Sequence, residues 1–166
     1  MTERLWAPWR MEYIQGGADA PGCIFCDKPA AGDDEANLIV HRGERAYVLM
    51  NLYPYSNGHL MVAPYRHVAA PGDLDEGERT EMWALLDRSL GVLSDVMAPH
   101  GFNAGINIGR VAGAGVEDHI HLHVVPRWNG DTNFMPVLAE TKVLPDALYG
   151  SYDKLAAQIR KGGPLP

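Results

Sequence analysis

The residues of this chain best suited to chemistry are three histidines at alternate positions, in the run His119-Ile120-His121-Leu122-His123. Bulky aliphatic residues separate them, and this composition favours an extended strand. Alternate side chains of a strand point to one face, so we expect three imidazoles in a row, about 6.6 Å apart at the usual rise of a strand. Such a row can bind a metal ion, relay protons or supply a nucleophile.

The distance between the outer two histidines disfavours one metal ion held by all three. His119 and His123 would lie about 13 Å apart along an extended strand, which is too far to share a single ion. A metal motif of His-x-His followed by a glutamate three or four residues later is also missing. Val125, Pro126 and Arg127 occupy that region.

A histidine nucleophile acting on phosphorus fits the neighbouring sequence better. A neutral imidazole can attack phosphorus and leave again, and a flanking histidine can donate a proton to the leaving group. The glycine-rich segment 109–115 directly precedes the histidines, and its backbone N–H groups could close around an anion. The combination predicts phosphoryl or nucleotidyl transfer, and structural histidines beside a simple turn are the alternative interpretation.

Composition predicts one domain over residues 1–166, without a polyanionic partner or a membrane span. The formal charge is −7, from 21 acidic and 14 basic residues, and no Lys/Arg run suggests a nucleic-acid surface. No apolar stretch reaches the length of a membrane span, and the N-terminus lacks the apolar run of a signal peptide. A cytoplasmic location, with reduced or metal-bound cysteines, is therefore expected.

Cys23 and Cys26 are the two cysteines of the chain, and their spacing leaves three interpretations open. Two thiolates do not fill a tetrahedral zinc site, so a zinc site would need further ligands. Two reduced, buried cysteines are the second interpretation. A redox motif is the weakest, because Ile24 and Phe25 between the cysteines are bulky and no βαβ pattern surrounds them.

The elements expected to position the histidines are strands on either side of one long helix. Asp75 and Glu78 form a capping box that begins the helix, and Pro99 ends it. A weaker helix is expected over 146–159. The strand-like segments are 38–40, 46–50, 59–63, 102–108, the histidine strand and 133–143. This order predicts an α+β domain with an antiparallel sheet.

The histidine run resembles the signature of the histidine triad (HIT) family, His-φ-His-φ-His-φ-φ, where φ is apolar. The similarity extends to Asn51, to segment 57–64 and to Ala112-Gly113, and covers roughly residues 20–128. The start at 5–10 and the tail at 126–134 are most similar to the bacterial branch related to diadenosine tetraphosphate phosphorylases and hydrolases.

The resemblance implies a HIT-like fold, with an antiparallel sheet of about five strands, one long helix and a shorter C-terminal helix. Its parts would be an N-terminal arm over 1–22, a core over 23–128 and a C-terminal extension over 129–166. The family also implies a homodimer, with the long helix near the dimer contact.

The resemblance also implies roles for the histidines. His121 would be the nucleophile that takes the α-phosphorus of a nucleotide. His123 would contact the phosphate and assist the leaving group, and His119 would orient its neighbour or bind a metal. The implied nucleotide-binding residues are Asn51 at the ribose, Asn107 at the α-phosphate, His59 as a support, and Gly113, Ala114 and Gly115 in the phosphate loop. Trp128 lies close enough in sequence to flank a base, although a packing role is equally open.

For the cysteines, the resemblance implies a closed structural zinc site of Cys23, Cys26, His67 and His119. One departure from the family concerns Gly115, which stands where many members have a Ser or Thr hydroxyl. Segment 116–118 is also one residue longer than usual before the histidines. A backbone N–H at this position can still bind phosphate, but a hydroxyl donor to the leaving group is missing.

The expected function is a nucleotidyl hydrolase or transferase that acts on dinucleoside polyphosphates through a covalent nucleotidyl-histidine. The acceptor would be water or phosphate. A nucleoside phosphoramidase or a general adenylyl-conjugate hydrolase is the alternative enzyme. A nucleotide-binding regulator with little turnover, suggested by Gly115, and a purely zinc-structural protein are alternatives of other classes.

Overall fold

The computed structural model describes residues 22–131 and 147–162. Within them, five strands form one antiparallel sheet in the order β1-β2-β3-β5-β4. The elements in chain order are α1 (Ile24–Ala30), β1 (Ile39–Arg42), β2 (Ala46–Met50), β3 (Leu60–Pro64), a 3-10 turn (Pro71–Asp73), α2 (Glu76–Met97), β4 (Gly101–Ile106), a second 3-10 turn (Arg110–Ala112), β5 (Leu122–Arg127) and α3 (Leu148–Lys161). The α+β fold, the five strands, the long helix and the shorter C-terminal helix are confirmed.

The two faces of the sheet carry separate apolar clusters. All residues of β2 and β3 are buried, so both faces of these central strands are covered. One face packs on α2 and α3, through residues such as Val48, Val62 and Leu85. The opposite face packs on Phe25 of α1, through side chains that include Tyr47 and Met61. Alternation along the strands assigns each side chain to one of these two faces.

The long helix begins and ends as its sequence predicts. The Asp75 carboxylate accepts a hydrogen bond from the Glu78 N–H (2.8 Å), and the Glu78 carboxylate accepts one from the Asp75 N–H (2.9 Å). This is the reciprocal capping box. Ala98 ends the helix in a left-handed conformation (φ +45°), immediately before Pro99. None of the helices in the described ranges is long and apolar enough to cross a membrane.

Three features differ from the sequence expectation or fall outside it. Helix α1 was not among the expected elements; the carbonyl of Cys23 accepts hydrogen bonds from both the Cys26 and Asp27 N–H groups, which closes a helical turn. Strand β5 begins at Leu122, so only His123 of the three histidines lies on it. The strand expected over 133–143 falls outside the described residues.

The late start of β5 follows from a contact outside the sheet. The N–H of Ile120 donates to the carbonyl of Val68 (2.7 Å), in the segment that follows β3. The side chains of this segment nevertheless alternate between the two faces of the sheet, because Ile120 and Leu122 are buried in the cluster that packs on α2 and α3. The expectation of a regular strand at His119 and His121 was wrong, while the separation of histidines and aliphatics onto two faces is confirmed.

Glu78 also supports a prediction about stability. Its carboxylate, 3% exposed, receives two hydrogen bonds of 2.7 Å from the Arg66 guanidinium. Arg66 first, and then the Asp75 N–H, lower the pKa of Glu78 from 4.5 to about 2. We expect Glu78→Gln to lower the free energy of unfolding by about 2 kcal/mol at pH 7, measured by urea denaturation.

The stabilisation by Glu78 should depend on pH in one direction, because the pKa of its carboxyl is lowered in the folded state. A carboxylate with a lowered pKa in the folded state stabilises the protein above its ordinary pKa, and the stabilisation is lost as the pH falls through the folded-state value. The difference between wild type and variant should therefore shrink between pH 4.5 and about 2. Exposed Glu76 in the same helical turn supplies the control, Glu76→Gln. A difference that persists undiminished at pH 3 would contradict the assignment.

Candidate active site and metal cluster

The histidines meet on the face of the sheet that packs against α1. On β5, His123 lies opposite Met61 of β3 and Gly105 of β4. Its ring centroid lies 4.9 Å from that of His121 and 5.1 Å from that of His59, which directly precedes β3. Two strands and the segment before β5 thus converge on one group of three imidazoles.

The orientation of the His121 ring leaves one nitrogen available for chemistry. Its Nδ1–H donates to the backbone carbonyl of His119 (2.8 Å), so the lone pair resides on Nε2. Within residues 22–131 and 147–162, no hydrogen bond engages that Nε2 atom. Burial lowers the pKa of His121 below its ordinary value, and the imidazole is therefore neutral at pH 7. A neutral imidazole with a fixed lone pair is the nucleophilic form.

His59 fixes which nitrogen of His123 carries the proton. The Tyr55 N–H donates to His59 Nδ1 (3.0 Å), so the proton of neutral His59 resides on Nε2. His59 Nε2–H then donates to His123 Nδ1 (3.0 Å). The proton of His123 must therefore be on Nε2. A backbone N–H thereby sets the direction of a chain of two hydrogen bonds that ends at His123.

Gly58 allows the chain to present His59 in this way. Its backbone has φ +70°, a left-handed conformation that glycine adopts at little cost. A Cβ at this position would lie 2.6 Å from the sulfur of Met97, at the end of α2. The turn before β3 therefore favours glycine for its conformation, and a Cβ would in addition require the Met97 side chain to move.

Asn107 adds a second donor beside His123. Its Nδ2 lies 3.4 Å from His123 Nε2 and 3.4 Å from the carbonyl of Gly113. Because His123 Nε2 carries a proton, it and the amide Nδ2 are neighbouring N–H donors rather than donor and acceptor. Two neighbouring N–H donors, one of them on the ring next to His121, form a suitable place for a phosphate oxygen.

The glycine-rich loop folds onto itself after Asn107. The N–H of Gly113 donates to the carbonyl of Arg110 (2.9 Å), and the N–H of Ala114 donates to the carbonyl of Gly109 (3.3 Å). Two of the N–H groups predicted to bind phosphate are thus engaged within the loop. The assignment of Gly113, Ala114 and Gly115 to the phosphate stays a prediction.

The structure shows local contacts for the other two residues expected to bind nucleotide. The Asn51 amide oxygen accepts from the Tyr53 N–H (2.9 Å), and its nitrogen lies 3.3 Å from His59 Nδ1. The Trp128 indole N–H donates to the carbonyl of Met97 (3.3 Å) at the end of α2, which is a packing contact. Their roles at the ribose and the base stay predictions.

The four proposed metal ligands lie together. The ligand atoms of Cys23, Cys26, His67 and His119 are all within 4.8 Å of one another. His119 Nδ1 lies 3.4 Å from Cys23 Sγ and 3.5 Å from Cys26 Sγ, and His67 Nδ1 lies 3.4 Å from Cys26 Sγ. Tetrahedral zinc with ordinary bond lengths requires sulfur and nitrogen ligands about 3.5 Å apart. The cluster therefore has the composition and the spacing of a closed four-ligand site.

Hydrogen bonding and charge at the cluster also fit a cation. The Nε2–H of His119 donates to the carbonyl of Pro64 (2.9 Å), which leaves the Nδ1 lone pair directed at the cysteines. Burial and then the neighbouring Cys23 raise the pKa of the Cys26 thiol to about 11. A bound divalent ion would replace the proton and relieve the repulsion between the two thiolates.

Sequence reasoning missed two contacts of the site. Phe25 was considered only as a bulky residue between the cysteines, but its ring stacks on His121 with centroids 4.5 Å apart. The hydrogen bond between His59 and His123 joins residues 64 positions apart. No local sequence pattern predicts either contact, although the apolar character of Phe25 could have suggested that it is buried.

Comparisons with known proteins show which family the chain is similar to. A family model described as "HIT domain" matches residues 33–130. A protein of Mycobacterium tuberculosis named AP-4-A phosphorylase is 40% identical over 164 residues, which cover 94% of this chain and 84% of that protein. A Dictyostelium discoideum protein named bis(5'-adenosyl)-triphosphatase is 36% identical over 84 residues, which cover 51% of this chain and 56% of that protein.

A similar solved structure is a Zn-bound histidine triad family protein from Mycobacterium smegmatis. It superposes with a TM-score of 0.67 at 25% identity, and the match covers 84% of this chain and 94% of that chain. A histidine triad nucleotide-binding protein from Sulfolobus tokodaii shares the fold, with the same TM-score at 24% identity and coverage of 84% and 93%.

Proposed function

This chain belongs to the HIT domain family, and on that premise we propose that it transfers a nucleoside monophosphate from a dinucleoside polyphosphate through His121. One observation carries the proposal: the His121 lone pair lies on Nε2, and the centroid of this ring lies 4.9 Å from that of His123, which with Asn107 supplies N–H donors. This arrangement offers a nucleophile to phosphorus and two donors to its oxygens. The mycobacterial relative named AP-4-A phosphorylase supports diadenosine tetraphosphate as the substrate and phosphate as an acceptor.

In the first step, His121 Nε2 forms a bond to the α-phosphorus, and the bond from that phosphorus to the bridging oxygen breaks. The Nε2 proton of His123 passes to the leaving oxygen, so a nucleoside triphosphate departs and a nucleotidyl-histidine remains. In the second step, an oxygen of phosphate or water bonds to the phosphorus, the P–N bond breaks, and the acceptor returns a proton to His123.

The metal cluster has a structural part in this proposal. We infer that Cys23, Cys26, His67 and His119 hold zinc, since two thiolates and two imidazoles with tetrahedral spacing suit that ion. The Zn-bound relative from Mycobacterium smegmatis supports this inference. When bound, the ion would cross-link α1, the segment after β3 and the segment before β5. All four ligand positions belong to the protein, so the ion is not assigned to the reaction.

Product identification tests the proposed reaction. The protein is incubated with diadenosine tetraphosphate, with and without inorganic phosphate, and the nucleotides are separated by chromatography. We expect ADP and ATP when phosphate is the acceptor, and AMP and ATP when water is. ADP as the sole product without phosphate would require cleavage at the central bridge and contradict attack at the α-phosphorus. Slow or absent turnover with tight AMP binding would instead indicate a regulator.

A substitution at His59 tests the hydrogen-bond chain. Phe in place of His59 keeps a ring against Tyr55, whose centroid lies 4.7 Å from that of His59, but it cannot donate to His123. We expect His59→Phe to lower kcat about 10-fold or more, because the proton of His123 is no longer held on Nε2. Steady-state kinetics measure the effect. An unchanged kcat would show that His123 keeps its tautomer without His59.

Homodimerisation, which the family implies, stays a prediction for solution experiments. Homodimerisation is tested by size-exclusion chromatography with light scattering. The expected cytoplasmic location and the lack of nucleic-acid or membrane partners rest on composition and on the −7 formal charge, and they also stay predictions.

A further inference from the structure

Phe25 connects the metal cluster to the proposed nucleophile. It lies between two of the four ligands in sequence, on α1, and its side chain is 1% exposed. Its ring stacks on that of His121, with centroids 4.5 Å apart and an interplanar angle of 28°. The same ring lies 5.3 Å from that of His119, which is itself a ligand.

The backbone of Phe25 is held in place from two directions. The buried hydroxyl of Tyr47 donates to the carbonyl of Phe25 (2.7 Å), which fixes α1 to the central strand β2. The carbonyl of Cys23 accepts from the N–H groups of Cys26 and Asp27, so the first turn of α1 is closed around the cysteines. The position of the Phe25 ring therefore depends on where Cys23 and Cys26 are held.

The second restraint on His121 also comes from the cluster. Its Nδ1–H donates to the backbone carbonyl of His119, whose side chain directs Nδ1 toward both cysteines. The Phe25 ring, which lies between the ligands Cys23 and Cys26 in sequence, thus contacts one face of the His121 imidazole. The carbonyl of His119, a third ligand, accepts the hydrogen bond at its Nδ1 edge. Displacement of the cluster would disturb both restraints together.

We infer that Phe25 is a positioning residue for His121, and that through Phe25 the Cys/His cluster controls the direction of the His121 Nε2 lone pair. This inference rests on the proposed function, because positioning matters only if His121 is the nucleophile. The stacked ring limits rotation of the imidazole about its side-chain bonds. Catalysis by a nucleophile requires such a fixed direction of approach.

The test compares Phe25→Leu with Ile24→Ala. Leucine keeps an apolar side chain at position 25 but offers no ring face to His121. Ile24 lies between the same cysteines and is 39% exposed, so its truncation controls for disturbance of the cysteine segment. Zinc content is measured by elemental analysis, and modification of His121 by diethyl pyrocarbonate is followed by mass spectrometry.

For Phe25→Leu we expect an unchanged zinc content, a changed rate of His121 modification and a kcat about 10-fold lower with KM nearly constant. For Ile24→Ala we expect the zinc content and the modification rate of the wild type. Wild-type protein treated with a zinc chelator should show the same change in His121 modification as Phe25→Leu. This arm keeps the inference testable if the leucine variant folds poorly.

Three results would overturn the inference. A higher KM with unchanged kcat and unchanged modification would make Phe25 a substrate contact. Loss of zinc in Phe25→Leu would make its role structural. Chelation without effect on His121 modification would remove the coupling to the cluster. The modification and zinc measurements need no turnover, so they can succeed even where the product assay shows that the proposed reaction is wrong.

Discussion

His121→Ala is expected to abolish turnover of diadenosine tetraphosphate, with kcat reduced about 10⁴-fold or more. Alanine removes the nitrogen that forms the bond to phosphorus, and the donors on His123 and Asn107 cannot replace a nucleophile. The covalent nucleotidyl-enzyme, detected by mass spectrometry after an acid-free quench, should disappear together with the activity. Nucleotide binding, measured by calorimetry, should be affected far less than kcat.

Exposed His100 provides the matched control for this experiment. Its Nδ1 accepts from the Asn129 N–H in a surface turn that precedes β4, away from the histidine group. His100→Ala should keep both the turnover and the covalent species. Substantial turnover in His121→Ala, at a rate near that of this control, would assign the chemistry to another residue.

Loss of the metal is expected to have the largest effect on stability. Cys26→Ser removes the sulfur that lies near both imidazole ligands, at 3.4 Å from His67 Nδ1 and 3.5 Å from His119 Nδ1. Structural zinc binding is coupled to folding, so we expect a loss of roughly 3 kcal/mol or more in the free energy of unfolding. Calorimetric unfolding and elemental analysis measure the two consequences on the same sample.

A chelator separates loss of metal from loss of a side chain. Wild-type protein should show a marked fall in melting temperature on chelation, whereas Cys26→Ser should show little further change, because its site is already disrupted. A full zinc content and an unchanged melting temperature in Cys26→Ser would show that the cluster does not bind metal through this thiolate.

Local sequence patterns were sufficient to predict most of the fold. The capping box at Asp75 and Glu78 depends on neighbours three residues apart, and the structure reproduces both of its hydrogen bonds. Alternation of histidine and aliphatic residues was sufficient to place Ile120 and Leu122 in the core. Helix α1 was missed, because it covers seven residues and includes Pro29, too little for a periodic pattern.

The candidate site was predicted in its residue types more than in its contacts. Resemblance to a family suggested His67 as a partner of the cysteines, and the structure brings it within reach of Cys26 across 41 residues of sequence. The same reasoning gave His59 only a supporting role. Its bond to His123, and the tautomer that this bond imposes, depend on how β3 and β5 pair.

The sequence by itself determined the α+β fold class and the division of residues between two faces of a sheet, and its resemblance to a family indicated the two cysteines and two histidines of the candidate metal cluster. The tertiary structure alone decided which nitrogen carries a proton in His59, His119, His121 and His123, and that the Phe25 ring lies against His121. The physical reason is the range of the interactions. Periodicity and capping act within a few residues, whereas hydrogen-bond direction and ring stacking depend on segments that only the folded sheet brings together.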